Sequence, residues 1–145
     1  MPFNKIDANL SASPQLTPDD VAAAAQGFRT IIDNRPDAEE PGQPPATVIE
    51  AAAREHGLAF VHIPVVSGQV GAAEVDAMAR ALDAQPGPAL GYCRTGTRVA
   101  TLWALAQSGK LEPDAILNTA RGAGYDLEKL RAKLRPADGS AANGL

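Results

Sequence analysis

The chain has one cysteine, Cys93, and two histidines among its 145 residues. A single cysteine excludes an internal disulfide, so nothing in the cysteine content indicates an oxidising compartment. Two separated histidines and one cysteine do not supply the ligand set of an ordinary structural metal site. We therefore expect no metal and no cofactor in this protein.

Basic charge, aromatic residues and long apolar runs are also scarce. The net charge is -4 and the sequence pI is near 5.1, which argues against a nucleic-acid partner, since such a partner needs a basic face. Aromatic residues make up 4% of the chain against 45% hydrophobic residues, so the core is expected to consist of Ala, Val, Leu and Ile. Residues 1–7 lack the apolar core of a signal peptide, and no run approaches the length of a membrane span. We expect a soluble, cytoplasmic protein with no membrane partner.

Strand and helix patterns alternate along the chain. Strands are predicted at 6–12, 28–33, 58–63 and 89–92, the first of them at a sheet edge, and helices at 17–26, 47–56, 72–84, 99–106, from 113 onward, and at 127–134. This alternation predicts an α/β fold: a single three-layer domain in which helices flank a small, mainly parallel sheet of about four to five strands. The domain is expected to span residues 1–135, and residues 136–145, rich in Gly, Ala and Asn, to form a flexible C-terminal tail.

The segment Tyr92-Cys93-Arg94-Thr95-Gly96-Thr97-Arg98 joins the last predicted strand to the helix that follows. A strand that passes through such a loop into a helix directs backbone N–H groups and the positive helix end at one point. Cationic neighbours and a helix N-terminus favour the thiolate form of a cysteine, which is the nucleophilic form. The guanidinium of Arg98 can hold two oxygens of an oxyanion. The catalytic residues are predicted to be Cys93 and Arg98, and the anion-binding loop to comprise Arg94, Thr95, Gly96 and Thr97.

Polar residues after two other strands complete the candidate site, because ligands of parallel sheets bind beyond the carboxyl ends of the strands. These further candidates are Asp33, Arg35, Ser67 and Gln69. Arg35 would add a second positive charge, Asp33 would act as a general acid, and Ser67 and Gln69 would offer hydrogen bonds. The alternative for Asp33 and Arg35 is a simple turn, in which Arg35 pairs with Asp37 or Glu39.

A Cys-x4-Arg loop between a strand and a helix is similar to the loops of cysteine-dependent phosphatases and of rhodanese sulfurtransferases. Together with segments 28–36, 60–65 and 124–127, in this order and spacing, it resembles the phosphatase-like domain of beta-lactamase hydrolase-like proteins. The resemblance implies a fold like that of the dual-specificity phosphatases. In some members of that family the domain is fused to a metallo-hydrolase-type domain linked to persulfide oxidation.

Three features of the sequence depart from the phosphatase pattern. Phosphatases place five residues between Cys and Arg, whereas this chain has four, a length that resembles rhodanese. Residues 65–69, where phosphatases carry a general acid, contain no carboxylate, and Val99 stands where phosphatases carry Ser or Thr. The departures matter because hydrolysis of a phosphate ester needs a proton for the leaving oxygen, and departure of sulfite or an acidic thiol does not.

The sequence therefore favours a rhodanese-like sulfurtransferase that moves sulfane sulfur from thiosulfate or a persulfide, through a Cys93 persulfide, to a thiol acceptor. The alternative is a protein tyrosine or dual-specificity-type phosphatase that hydrolyses phosphomonoesters through a Cys93 phosphocysteine. A second alternative is a non-catalytic anion or redox sensor. All three imply a small anionic ligand at Cys93.

Overall fold

The computed structural model describes residues 3–137, whose strands and helices alternate. The strands are β1 Asn4–Lys5, β2 Leu10–Ser13, β3 Thr30–Asp33, β4 Ala59–His62 and β5 Ala89–Tyr92, and the helices are α1 Pro18–Ala24, α2 Ala46–Glu55, α3 Ala72–Ala84, α4 Thr97–Ala106 and α5 Pro113–Gly122. The helix predicted at 127–134 is a 3₁₀ helix, Glu128–Lys133. Of the predicted tail, residues 138–145 lie outside the described residues.

The sheet has the strand order β1-β2-β5-β3-β4. Only β1 pairs antiparallel; β2, β5, β3 and β4 are parallel to one another. In this register Tyr92 at the end of β5 lies between Ser13 of β2 and Asp33 of β3. The predicted fold class, a mainly parallel α/β sheet flanked by helices, is confirmed.

The single first strand predicted at 6–12 is wrong in its bounds and its place. The chain instead forms two strands, β1 and β2, and β2 is an interior strand next to β5. The break comes at Asp7, whose carboxylate Oδ1 accepts hydrogen bonds from the backbone N–H groups of Asn9 and Leu10. A carboxylate that binds nearby backbone amides in this way favours a turn over a continuous strand.

Hydrophobic clusters fill both sides of the sheet. On one side, Tyr92 of β5 packs in a cluster with residues of α1 and α2, including Val21 and Ile49. On the other side, Cys93 packs in a cluster with residues of α3, α4 and α5, including Met78, Trp103 and Ile116. Helices therefore cover both faces, and consecutive residues of β5 and its loop point to opposite faces, as in any strand. No helix within residues 3–137 has the length and apolar character required to cross a membrane.

Candidate active site

The loop that follows β5 curls around the sulfur of Cys93. Cys93 is 1% exposed, and its backbone N–H donates to the Ser13 carbonyl at 3.3 Å, which continues the pairing with β2. Gly96 has φ +96°, in the left-handed region, and caps α4. In this conformation its backbone N–H donates to the Cys93 sulfur over 3.0 Å. A hydrogen bond from an amide favours the negatively charged form of its acceptor.

Arg98 lies in the first turn of α4 and is 9% exposed. Its Nη1 donates to Glu39 Oε2 at 2.7 Å and to the Val65 carbonyl at 2.8 Å, and its Nη2 donates to Glu39 Oε1 at 2.9 Å. A guanidinium has five N–H donors, so these three bonds leave the Nε hydrogen and one Nη2 hydrogen. Those two form one edge of the planar group, which is the edge that can hold an oxyanion in a two-point contact.

Arg98 also interacts with the sulfur of Cys93. The pKa of Arg98 is raised, first by its hydrogen bond to Glu39 and further by the negative charge of Cys93. The site therefore combines a buried sulfur, an amide that donates to it and a guanidinium beside it. This arrangement suits a tetrahedral oxyanion held above a thiolate.

Glu39 is a central part of this site that the sequence did not identify as functional. It accepts from Arg98 through both carboxylate oxygens, and Arg35 Nε donates to its Oε1 at 2.8 Å. The bond from Arg98 and then that from Arg35 lower the pKa of Glu39 to about 2, against burial that opposes the shift. The available signal was the acidic run at 37–40, which the sequence interpretation connected with Arg35 but not with Arg98.

Arg35 is 1% exposed, and each of its three side-chain nitrogens donates to another residue. Besides Glu39 it donates to Gln15 Oε1 at 2.9 Å and to Glu40 Oε1 at 2.8 Å. These contacts favour the turn interpretation, in which Arg35 pairs with an acidic neighbour, over a direct role in binding a ligand. Arg35 still borders the cavity and adds positive charge to it.

A cavity of about 680 Å³ opens above the loop. Four cationic side chains and one carboxylate border it, namely Arg35, Arg94, Arg98, Lys133 and Glu39. An apolar wall is formed by Val70, Leu105 and Leu130. The excess of positive charge favours an anionic ligand, and the apolar wall gives room for an uncharged part of the same molecule.

The other predicted site residues differ in whether they border the cavity. Thr95 and Thr97 border the cavity, but their hydroxyls hydrogen-bond each other at 3.0 Å rather than the sulfur. Arg94 is an exposed residue at the cavity, 3.9 Å from a carboxylate oxygen of Glu40. Ser67 borders the cavity, whereas Gln69 is not among its lining residues, and the Gln69 N–H donates to Val66 in a turn.

Asp33 lies away from the sulfur. It is directly opposite Tyr92 in the register of β3 and β5, and paired residues share a face of the sheet. Tyr92 faces α1 and α2, whereas Cys93 faces α4. The Asp33 carboxylate accepts from the Arg35 N–H at 2.8 Å, and burial raises its pKa. Because Asp33 is 2% exposed and does not border the cavity, its placement does not support a role as general acid for a ligand at Cys93.

Within residues 3–137 no group of three or more His, Cys, Asp or Glu side chains is placed to hold a metal ion. The groups that the described site brings together are a thiol, a guanidinium and a backbone amide.

Comparison with known proteins finds a matching family. The model of the family "Beta-lactamase hydrolase-like protein, phosphatase-like domain" matches residues 2–110. A beta-lactamase hydrolase-like protein of Xylella fastidiosa (strain Temecula1) is 36% identical over 125 residues, which cover 84% of this chain. The same alignment covers 29% of that relative, so this chain corresponds to less than a third of its length.

Solved structures show the same fold. A putative phosphatase from Neisseria meningitidis is 37% identical with a TM-score of 0.83, over 92% of this chain and 96% of that one. TpbA of P. aeruginosa in complex with pTyr is 21% identical with a TM-score of 0.67, over 99% of this chain and 91% of that one. At this lower identity the similarity concerns the fold alone. The matched family and the Neisseria meningitidis structure fit the phosphatase alternative better than sulfur transfer, which they do not support.

Proposed function

The chain belongs to the phosphatase-like domain family of beta-lactamase hydrolase-like proteins, and from this premise we propose that it is a cysteine-dependent phosphomonoester hydrolase. The Cys93 thiolate is the nucleophile, and Arg98 binds the phosphoryl oxygens. The strongest support is the arrangement of Arg98, which interacts with Cys93 and keeps one edge of its guanidinium free after three of its N–H groups have bound Glu39 and Val65.

The proposed reaction has two steps. In the first, the Cys93 sulfur forms a bond to phosphorus, the ester P–O bond breaks, and the leaving oxygen departs and takes a proton from water. In the second, water attacks phosphorus, the S–P bond breaks, and inorganic phosphate and the thiolate are released. In both steps the charge that develops on the phosphoryl oxygens faces the Arg98 edge and the loop amides.

The test uses p-nitrophenyl phosphate with the wild-type protein and two variants. We expect wild-type turnover, none with Cys93→Ser, and a loss on the order of a hundredfold with Arg98→Lys, which keeps the charge but loses the two-point contact. Intact mass measured after rapid acid quench should show one phosphoryl group on the wild type and none on Cys93→Ser. Equal turnover by Cys93→Ser and the wild type would contradict the proposal.

Sulfur transfer is the second candidate, favoured by the four-residue interval between Cys93 and Arg98 and by the absence of a carboxylate at 65–69. In that reaction the thiolate attacks the outer sulfur of thiosulfate, an S–S bond forms, and sulfite leaves. Incubation with thiosulfate would then add one sulfur to the wild type and none to Cys93→Ser. A sulfur adduct without phosphatase turnover would replace the first proposal with this one, and anion binding without either reaction would indicate a sensor.

A further inference from the structure

Tyr125 packs directly against the Gly96 turn. It follows α5 in the chain and is 7% exposed. A Cβ atom placed on Gly96 would lie 3.0 Å from Tyr125 Cζ and closer still to the Tyr125 hydroxyl oxygen. Tyr125 therefore occupies the space into which any other residue at position 96 would project its side chain. The proposed reaction steps make no use of this contact.

Asn4 holds the Tyr125 side chain from the opposite end of the chain. Its side-chain amide Nδ2 donates to the Tyr125 hydroxyl oxygen at 3.0 Å, between residues 121 positions apart in sequence. Because the amide is the donor, the hydroxyl keeps its own hydrogen for a second partner. The edge strand β1, the segment after α5 and the loop after β5 thus meet at one point.

The hydrogen bond to the Cys93 sulfur depends on the backbone conformation of Gly96. The Gly96 N–H lies 3.0 Å from the sulfur, and the residue adopts φ +96°. A turn that relaxed from this geometry would move its N–H away from the sulfur. Burial, and secondarily the negative charge of Cys93, raise the pKa of Tyr125. Tyr125 therefore stays uncharged and keeps its hydroxyl hydrogen.

We propose that Tyr125, anchored by Asn4, is a positioning residue that holds the Gly96 turn with its N–H on the Cys93 sulfur. The inference rests on the proposed function only in taking the Cys93 thiolate as the nucleophile. Among the described groups, Arg98 of α4 and Tyr125 interact with that sulfur, and Glu39 binds Arg98. Arg35, Arg94 and Lys133 line the cavity above it. Removal of the Tyr125 hydroxyl should therefore change thiolate reactivity without removing any charge from the site.

The test measures the rate of alkylation by iodoacetamide as a function of pH. Cys93 is the only cysteine, so the signal has a single source. We expect Tyr125→Phe to move the profile to higher pH and to slow alkylation at neutral pH by about two- to tenfold, the effect of one hydrogen bond. Superimposable profiles of Tyr125→Phe and the wild type would overturn the proposal.

The matched control is Tyr92→Phe, because the chain has two tyrosines and both are buried. The Tyr92 side chain packs with residues of α1 and α2 on the opposite face of the sheet, and its hydroxyl lies near Asp33 rather than at the Gly96 turn. Its alkylation profile should match the wild type. An equal shift in both variants would show a general effect of lost hydroxyls on the fold and would count against the proposal.

Asn4→Ala supplies the second variant, since it removes the anchoring amide and leaves the Tyr125 side chain itself unchanged. It should shift the profile in the same direction by a smaller amount, and the double variant should match Tyr125→Phe alone, because Asn4 acts through the Tyr125 hydroxyl. If the shifts of the two single variants add in the double variant, Asn4 does not act through the Tyr125 hydroxyl. Alkylation needs no turnover, so a shifted profile in a protein inactive on phosphate esters would refute the proposed function and leave this inference intact.

Discussion

Glu39 binds two guanidinium groups at once, and this makes it the residue on which the orientation of Arg98 depends. Its two oxygens hold the Nη1 and Nη2 atoms of Arg98, and one of them also accepts from Arg35. The Val65 carbonyl adds a further contact to Nη1. Only one edge of the Arg98 fork then remains for a ligand, and its direction is fixed by the contacts on the other edge.

At the residue scale we predict that Glu39→Gln lowers kcat/KM for p-nitrophenyl phosphate on the order of tenfold to a hundredfold, because a small misplacement of a positioning group has effects of this size. The amide accepts through one oxygen only, so Arg98 loses its two-point partner. Steady-state kinetics measure the effect.

The control for that substitution is Glu40→Gln. Glu40 is a neighbouring carboxylate that accepts a hydrogen bond from Arg35 and, among the described contacts, none from Arg98; its side chain is 44% exposed. We expect its kcat/KM to stay within about twofold of the wild type, as an exposed ion pair contributes little. A rise in activity of Glu39→Gln would contradict the positioning role and identify Glu39 as a competitor of the substrate for Arg98.

At the scale of elements, β5 and α4 approach closely at Gly91. A Cβ atom on Gly91 would lie 2.7 Å from Cγ1 of Val99, which is fully buried. Glycine at this position lets the first turn of α4, which carries Arg98, pack against the strand that leads into Cys93. The buried position of Val99 against Gly91 favours an apolar side chain there.

We predict that Gly91→Ala lowers the free energy of unfolding by about 1–3 kcal/mol, the usual effect of overpacking a core, and lowers kcat because the first turn of α4 must shift. Urea denaturation and turnover of p-nitrophenyl phosphate measure the two effects. The double variant Gly91→Ala/Val99→Ala should recover part of both, because the methyl groups that collide are gone.

Gly122→Ala is the control for an added methyl group, since it lies in α5 with no atom within 4 Å of the new Cβ. It should leave the free energy of unfolding equal or about 1 kcal/mol higher, in line with helix propensity. If Gly91→Ala behaves in the same way as Gly122→Ala, the close approach of β5 and α4 is not a constraint on the fold.

At the scale of the whole molecule, the walls of the cavity contain little that can donate a proton. Glu39 is the only carboxylate among its described lining residues, and the two arginines hold its pKa at about 2, so it is ionised at neutral pH. Asp33 lies on the other face of the sheet. The leaving oxygen of a substrate must therefore depart without a strong acid beside it.

We predict a steep dependence of kcat on the leaving group, with p-nitrophenyl phosphate hydrolysed on the order of a hundredfold to ten-thousandfold faster than an alkyl phosphate, which is the usual contribution of a general acid. A series of substituted phenyl phosphates measures the slope. Asp33→Asn should leave that slope unchanged. A flat dependence in the wild type, or a steeper one in Asp33→Asn, would contradict this picture.

The local pattern around Cys93 was sufficient to predict the fold class and the loop. Both depend on residues that are close together in the sequence, where backbone preferences act. The fold class follows from the alternation of strands and helices, and the loop from Gly96 and Arg98 shortly after the cysteine. The first strand was mispredicted because Asp7 forms side-chain bonds to the backbone that override a strand pattern. The sequence favoured sulfur transfer because of the length of the loop and the missing general acid. The family relatives fit a phosphatase better, so these two features were weaker indicators of function than the family.

The short turn between a strand and a helix is a local pattern, and it was enough to predict that Cys93 and Arg98 lie close together. The packing of the whole chain set which distant residues contact them: Glu39 and Val65 beside Arg98, and Tyr125 with Asn4 beside Gly96. It also placed Asp33 on the wrong face for acid catalysis. Such contacts join residues far apart in the chain, and their direction depends on sheet register and helix packing, which no local pattern encodes.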